Sequence, residues 1–147
     1  AAVLLHREVG NRSAESRVST HLGDLLLREG RLAEARLCYE EALVAGRCSG
    51  APVDEALTLS SLGLLLARCG EHAESASLFA QCEPALRADQ DPDELTHHLV
   101  RKAEAAWLVG RTEASEAALA EARALPHSAA SAALMEVELL ISRSPTR

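Results

Sequence analysis

Residues 22–42 of this chain, LGDLLLREGRLAEARLCYEEA, return forty residues later as LGLLLARCGEHAESASLFAQC, residues 62–82. A weaker third copy keeps Ala103, Gly110, Ser115, Leu119 and Ala122 at the places of Gly63, Gly70, Ser75, Phe79 and Cys82. No other feature constrains the fold as tightly. A fixed period of this size with helical patterning marks an array of helix pairs, each hiding its apolar face only by stacking on its neighbours. The expectation is an all-α chain, one domain over residues 1–147, built of three antiparallel helix pairs and a C-terminal capping helix.

Composition supports this. Aromatic residues are 2% of the chain against 48% hydrophobic, so the core must be made of Leu, Ala and Val, and residues suited to several strands are too scarce. A formal charge of −7 argues against general nucleic-acid binding, which depends on neutralising phosphates with Lys and Arg. No apolar run approaches the roughly 20 residues of a membrane span, and no basic-then-apolar leader opens the chain. The expected location is the cytoplasm, without nucleic acid or membrane as partner. Lys102 is the only lysine among 15 basic residues, and with the abundant Ala this points to a GC-rich, bacterial genome. Cys38, Cys48, Cys69 and Cys82 show no CxxC pair and no zinc-like spacing, so they are expected as reduced thiols filling space.

In chain order, the register places Ala2 where Ala42 and Cys82 stand, so residues 2–9 read as the end of a preceding helix in a longer array. Val3, Leu4, Leu5 and Val9 would then lack cover unless that helix folds back on the next pair. Gly10 and Asn11 are expected to stop it. Ser13 then caps a helix over 13–29 with an apolar set of Val18, Leu22, Leu25, Leu26 and the small Gly23. Its partner, about 32–46, buries Leu32, Ala35, Tyr39, Ala42 and Leu43, closing repeat 1 at 13–46. Residues 47–52 form a longer connection. Repeat 2 covers 53–88 and carries Ala76, Phe79 and Cys82 inward, with Pro84 predicting a kink or early end. Acids at 89–94 open repeat 3, 92–125, at a helix N-terminus where the dipole favours them. Residues 128–142 form the capping helix, with Ala130, Ala133, Leu134, Val137 and Ile141 on one face.

With these residues in view the chain resembles the tetratricopeptide repeat family. Leu22, Gly23, Gly30, Ala35, Tyr39 and Ala42 match its pattern in the first repeat, and Leu62, Gly63, Gly70, Ser75, Phe79 and Cys82 in the second. The third departs, with Lys102 for leucine, Ala103 for glycine and Leu119 for the aromatic. Ser19, Leu59 and Leu99 stand where the family usually has tryptophan. The resemblance implies a right-handed superhelix. The forty-residue spacing is similar to arrays in long bacterial signalling regulators and in animal polarity adaptors, both scaffolds. Independently of the family, Gly23 and Gly63 lack side chains where two helices must approach, so Gly63→Leu should overpack the crossing at a cost of roughly 1–3 kcal/mol or more.

No HExxH, GxSxG or GKS/GKT motif is present, and the adjacent His97 and His98 point about 100° apart on a helix. No catalytic residue, metal site or cofactor is therefore expected. The resemblance instead places a peptide-binding groove on the first helix of each repeat. Carried over by position, its residues are Arg17, His21, Asp24 and Arg28, then Leu64 and Arg68, then His97, Arg101, Glu104 and Trp107. Thr20, Leu27, Leu57, Ser60, Ser61, Ala67, Val100 and Leu108 fill out the face. Four arginines against two acids make it net positive, which implies a protein or peptide partner with acidic and apolar residues. Leu57, Leu64 and Trp107 read equally well as packing between pairs. A second expectation, of another class, is a structural or self-associating segment that forms a homodimer through exposed repeat ends.

Overall fold

A computed structural model describes residues 2–126 and 130–143, with no account of side chains before Glu8. The elements are α1 (Ala2–Arg28), α2 (Leu32–Ser49), α3 (Pro52–Arg68), α4 (His72–Ala88), α5 (Pro92–Leu108), α6 (Thr112–Ala124) and α7 (Ser131–Ser142). Helices α1 and α2, α3 and α4, and α5 and α6 form successive hairpins, and α7 follows. The odd helices pack on one another in the order α1, α3, α5, α7, whereas α4 and α6 meet through an exposed ion pair, Arg87 donating to both Glu121 carboxylate oxygens at 2.8 and 2.9 Å. The odd helices thus form a continuous packed layer and the even ones sit behind it, more loosely joined to one another.

Local chemistry sets the turns. Gly30, Gly70 and Gly110 take φ of 79°, 85° and 75°. Each follows a helix whose last carbonyls are closed in the same way: Arg31, Glu71 and Arg111 amides reach back to Leu26, Leu66 and Ala106 carbonyls at 2.9 Å. This is a Schellman ending, and only glycine takes the left-handed position without strain. Pro52 and Pro92, forty apart, begin α3 and α5 where their missing amide is not needed. Asp91 caps α5, its side chain accepting from the Asp93 and Glu94 amides at 3.0 and 3.4 Å.

Within each pair the expected small positions receive a large side chain from the partner helix. A Cβ added at Gly23 would stand 2.5 Å from the Tyr39 ring, and one at Gly63 would stand 3.0 Å from the Phe79 ring. The glycines therefore seat aromatic rings more than they bring backbones together. In the third pair the smaller Leu119 is buried beside Ala103. Ser75 and Ser115 donate to the carbonyls of Gly63 and Ala103 at 2.7 and 2.9 Å, tying both pairs across the same crossing. The core runs along the stack in clusters centred on Tyr39, Leu65 and Phe79, on Leu59 and Leu86, and on Leu99, Leu119 and Leu134. Helix α7 closes it by packing Leu134 and Val137 against α5 and α6.

Several expectations are corrected. Gly10 and Asn11 do not stop a helix and Ser13 does not cap one, for α1 is continuous from Ala2 to Arg28. A glycine in an exposed helix costs only about 1 kcal/mol, and a Cβ at Gly10 would meet nothing within 4 Å, so no packing contact enforces a turn there. Of the expected set Gly23 is buried and Leu26 half-buried, but Val18, Leu22 and Leu25 are exposed, and α1 buries Ser16, Thr20 and Leu27 in their place. Of the forty-residue mates of these exposed three, Thr58 and Leu65 are buried and Leu62 is half-buried, α3 having the first pair packed against it, whereas no other described helix covers this face of α1. Helix α2 runs on to Ser49, so the connection is Gly50-Ala51 alone. Ala76 faces solvent, while Ser75, Phe79, Cys82 and Leu86 face inward. Pro84 does not end α4, because it and Ala80, whose carbonyl loses its donor, both lie on the wet side. The side chains of Val3, Leu4 and Leu5 and a helix start at Ser128 lie outside the described residues.

Candidate binding groove

The odd helices align their inner faces in forty-residue rows, and between them lies a hollow of about 530 Å³. Arg17, His21, Asp24 and Arg28 line it from α1, Leu64 and Arg68 from α3, and His97, Arg101 and Glu104 from α5. These are nine of the ten residues that the family resemblance placed on a groove, joined by Thr20, Leu27, Leu57 and Val100. Trp107 does not line it. Its register mates Leu27 and Ala67 are buried in the stack, and Trp107 is itself half-buried there, so the position belongs to packing between pairs. Ser60, Ser61 and Ala67 are likewise buried away from the hollow.

Residues not foreseen complete the lining: Leu25, Asp54, Glu94 and, from α7, Ala133, Glu136 and Val137. Asp54 and Glu94 carried a signal, since both are acids in the first turn of an odd helix, forty residues apart. With them the net positive face disappears. Four arginines stand among five carboxylates, Asp24, Asp54, Glu94, Glu104 and Glu136.

Most of these charges are spoken for. Arg17 donates from Nε to Asp54 Oδ1 at 3.0 Å and from Nη1 to Glu94 Oε1 at 2.9 Å, so one guanidinium joins α1, α3 and α5. The Asp54 side chain is fully buried, and its Oδ2 accepts from Ser49 Oγ at 2.9 Å. Arg68 grips Glu104 Oε1 through Nε and Nη2 at 3.0 and 2.8 Å and donates to the Leu27 carbonyl at 3.3 Å. Arg101 reaches Asp24 at 3.4 Å, and Tyr39 Oη donates to the other Asp24 oxygen at 2.7 Å. A buried carboxylate that loses its partner costs far more than a surface pair is worth, so these contacts fix the helix spacing more than they add net stability. Arg28 and Glu136 make no ion pair among the described residues.

His97 and His98 divide as their helical spacing requires: His97 lines the hollow, and His98 is wholly buried. His98 Nδ1 lies 2.9 Å from Ser60 Oγ, and its Nε2 lies 3.1 Å from Glu83 Oε1, which also receives Lys102 Nζ at 2.9 Å. Burial pushes the His98 pKa down to about 4, against the opposing pull of Glu83. Burial alone would raise Glu83, but hydrogen bonds from Lys102 and His98 outweigh it and hold the carboxyl below its usual range. A neutral imidazole then donates from Nε2 to Glu83 and accepts at Nδ1 from Ser60. Arg101 in turn donates to Ser60 Oγ at 3.4 Å, so a hydrogen-bonded chain runs from Lys102 through the core to the wall of the hollow. This Ser-His-Glu alignment offers a substrate no access, since Ser60 and His98 are both 0% exposed. Burial likewise raises the Cys82 thiol to about 11, away from reactive thiolate character.

The described residues bring together one trio of potential metal ligands, Asp89, Asp91 and Glu94, within 4.8 Å of one another. Asp91 already caps α5 and Glu94 already pairs with Arg17, while burial and then the neighbouring Asp89 raise the Glu94 pKa. No helix of the described residues is long and apolar enough to cross a membrane.

No family model, curated protein or solved structure matches the chain. What stands is an all-α chain of stacked helix pairs, a helical-repeat architecture in the general sense.

Proposed function

We propose that this chain is a protein-interaction module that takes a segment of a partner protein in the hollow lined by α1, α3, α5 and α7. In this reading the stack is a right-handed superhelix of the tetratricopeptide kind, part of a larger cytoplasmic regulator of bacterial origin, with no catalytic role. The observation that carries it is a hollow whose residues change from repeat to repeat on a scaffold whose packing residues recur. Arg17, Arg68 and Arg101 are already neutralised, so the partner is not simply acidic. It presents an acid to Arg28, a base to Glu136 and an apolar side chain to Leu25, Leu64 and Val137. Complementary charge at these two places sets orientation more than raw affinity.

The test is selection of peptides from a displayed library on the wild-type chain, followed by titration of the selected peptides. Arg28→Glu and Glu136→Lys should each weaken binding at least about tenfold and leave the melting temperature unchanged. Selected peptides that bind both variants as well as wild type would remove the hollow as the binding place.

A further inference from the structure

Of the apolar residues that the hollow offers a partner, Leu25 is open, but Leu64 and Val137 are each 7% exposed. A partner segment gains little from side chains that water does not reach. The cover over Leu64 comes from both sides of α3, since it packs in one cluster with Leu27 of α1 and Ala105 of α5.

Helix α1 packs on α2 and α3, and α5 on α3, α4, α6 and α7, so the two flank α3 without packing on each other among the described residues. Two ion pairs join them over it. Arg17 of α1 holds Asp54 of α3 at 3.0 Å and reaches on to Glu94 of α5 at 2.9 Å. Arg101 of α5 touches Ser60 of α3 and reaches on to Asp24 of α1, both at 3.4 Å. On each helix the two residues stand two turns apart on one face, about 10.5 Å along the axis. The polarity is reversed from one pair to the other, so a slip of two turns in either direction would set like charges together. Each pair has one end in water, the Arg17 and Asp24 side chains being 42% and 30% exposed. An ion pair so placed adds little net stability and can part without unfolding the chain.

From this geometry we infer that the hollow stands closed, with the pairs of Arg17 with Glu94 and of Arg101 with Asp24 as straps that draw α1 and α5 together over Leu64, and that a partner segment enters as the straps part. The inference rests on the hollow being the binding place. The straps are then an autoinhibitory contact: they hold most molecules in the form that does not bind, and the affinity lost in this way returns when they are cut.

Asp24→Asn and Glu94→Gln each cut one strap at constant shape, leaving Arg17 its bond to Asp54 and Tyr39 an oxygen to donate to. In a Leu64→Cys background, the rate at which a maleimide modifies position 64 should rise at least about fivefold when both straps are cut, with the melting temperature little changed. Peptide mapping separates this site from the exposed Cys48 and Cys69. Glu121→Gln, which cuts the exposed pair between α4 and α6, should leave the rate as it was. Leu57→Cys, on the same face of α3, repeats the measurement should Leu64→Cys not fold. Peptides selected on the wild-type chain should bind the doubly cut variant at least about fivefold more tightly. An unchanged modification rate overturns the inference whether or not any peptide binds. A raised rate with unchanged or weaker peptide binding overturns the autoinhibition, because the straps would then hold the helices without gating the hollow. Failure of the underlying reading looks different: Arg28→Glu and Glu136→Lys leave peptide binding intact, while the modification rate still decides for or against the straps.

Discussion

At the crossing of the first helix pair the Tyr39 ring lies over Gly23, at the second the Phe79 ring lies over Gly63, and at the third Leu119 is buried beside Ala103. In the hollow the corresponding rows read Asp24, Leu64, Glu104 and Arg17, Leu57, His97. The crossing repeats because it is a problem of shape: a large side chain needs a small one opposite, and the solution is the same in every pair. The hollow does not repeat because its residues face one another across helices, so an acid on one is answered by an arginine on another. What holds the pairs and what distinguishes the groove are therefore separate sets of residues.

The comparison breaks most sharply at the crossings. Gly23→Leu should cost about 3 kcal/mol or more, because the Tyr39 ring that a Cβ would meet at 2.5 Å is itself 0% exposed and has nowhere to go. Gly63→Ala should cost about 1 kcal/mol, its contact being 3.0 Å. Thermal melts check both, and equal losses at the two glycines would show that the rings are not what the glycines accommodate.

The next effect is on pH. His98 is held down to about 4 in the folded chain, so an unfolded histidine, with its ordinary value of 6.5, takes up a proton first. Stability from this group is complete above about pH 6.5 and is lost as pH falls toward 4, by on the order of 2–3 kcal/mol. Glu83, held below its usual range, loses its contribution in the same direction at lower pH. Denaturant melts between pH 7 and 4.5 should show this slope in wild type and a flatter one in His98→Gln. Smaller still, Ser75→Ala should cost about 1 kcal/mol for the lost bond to the Gly63 carbonyl. At the far end, Arg28→Glu should change stability by less than about 0.5 kcal/mol.

Much of this was legible in the sequence. The forty-residue period located the hairpins, the three glycine turns and both aromatic seats, because each depends on residues close in sequence or in the same row. The family resemblance, and not the period itself, named nine of the residues that line the hollow. The ionic pairing was not legible. Arg17 meets Glu94 and Arg101 meets Asp24 across 77 residues, and no periodicity within one helix announces a partner two repeats away. The continuity of α1 was missed for a related reason. Gly10 stands in the row of Gly50, which does turn at φ 72° against a neighbouring helix, but a glycine permits a turn without compelling one. Val18, Leu22 and Leu25 had the spacing of a buried stripe, and only the order of the stack shows that none of the described helices covers them.

The separation of packing residues from groove residues is tested most directly by amide chemical-shift mapping of the chain with a library-selected peptide. The account predicts shifts concentrated at Arg28, Leu64, Arg101 and Glu136 on the odd helices, with Ala35, Ser75 and Ser115 at the crossings undisturbed. Shifts centred on the outer faces of α2, α4 and α6, with the hollow silent, would contradict it.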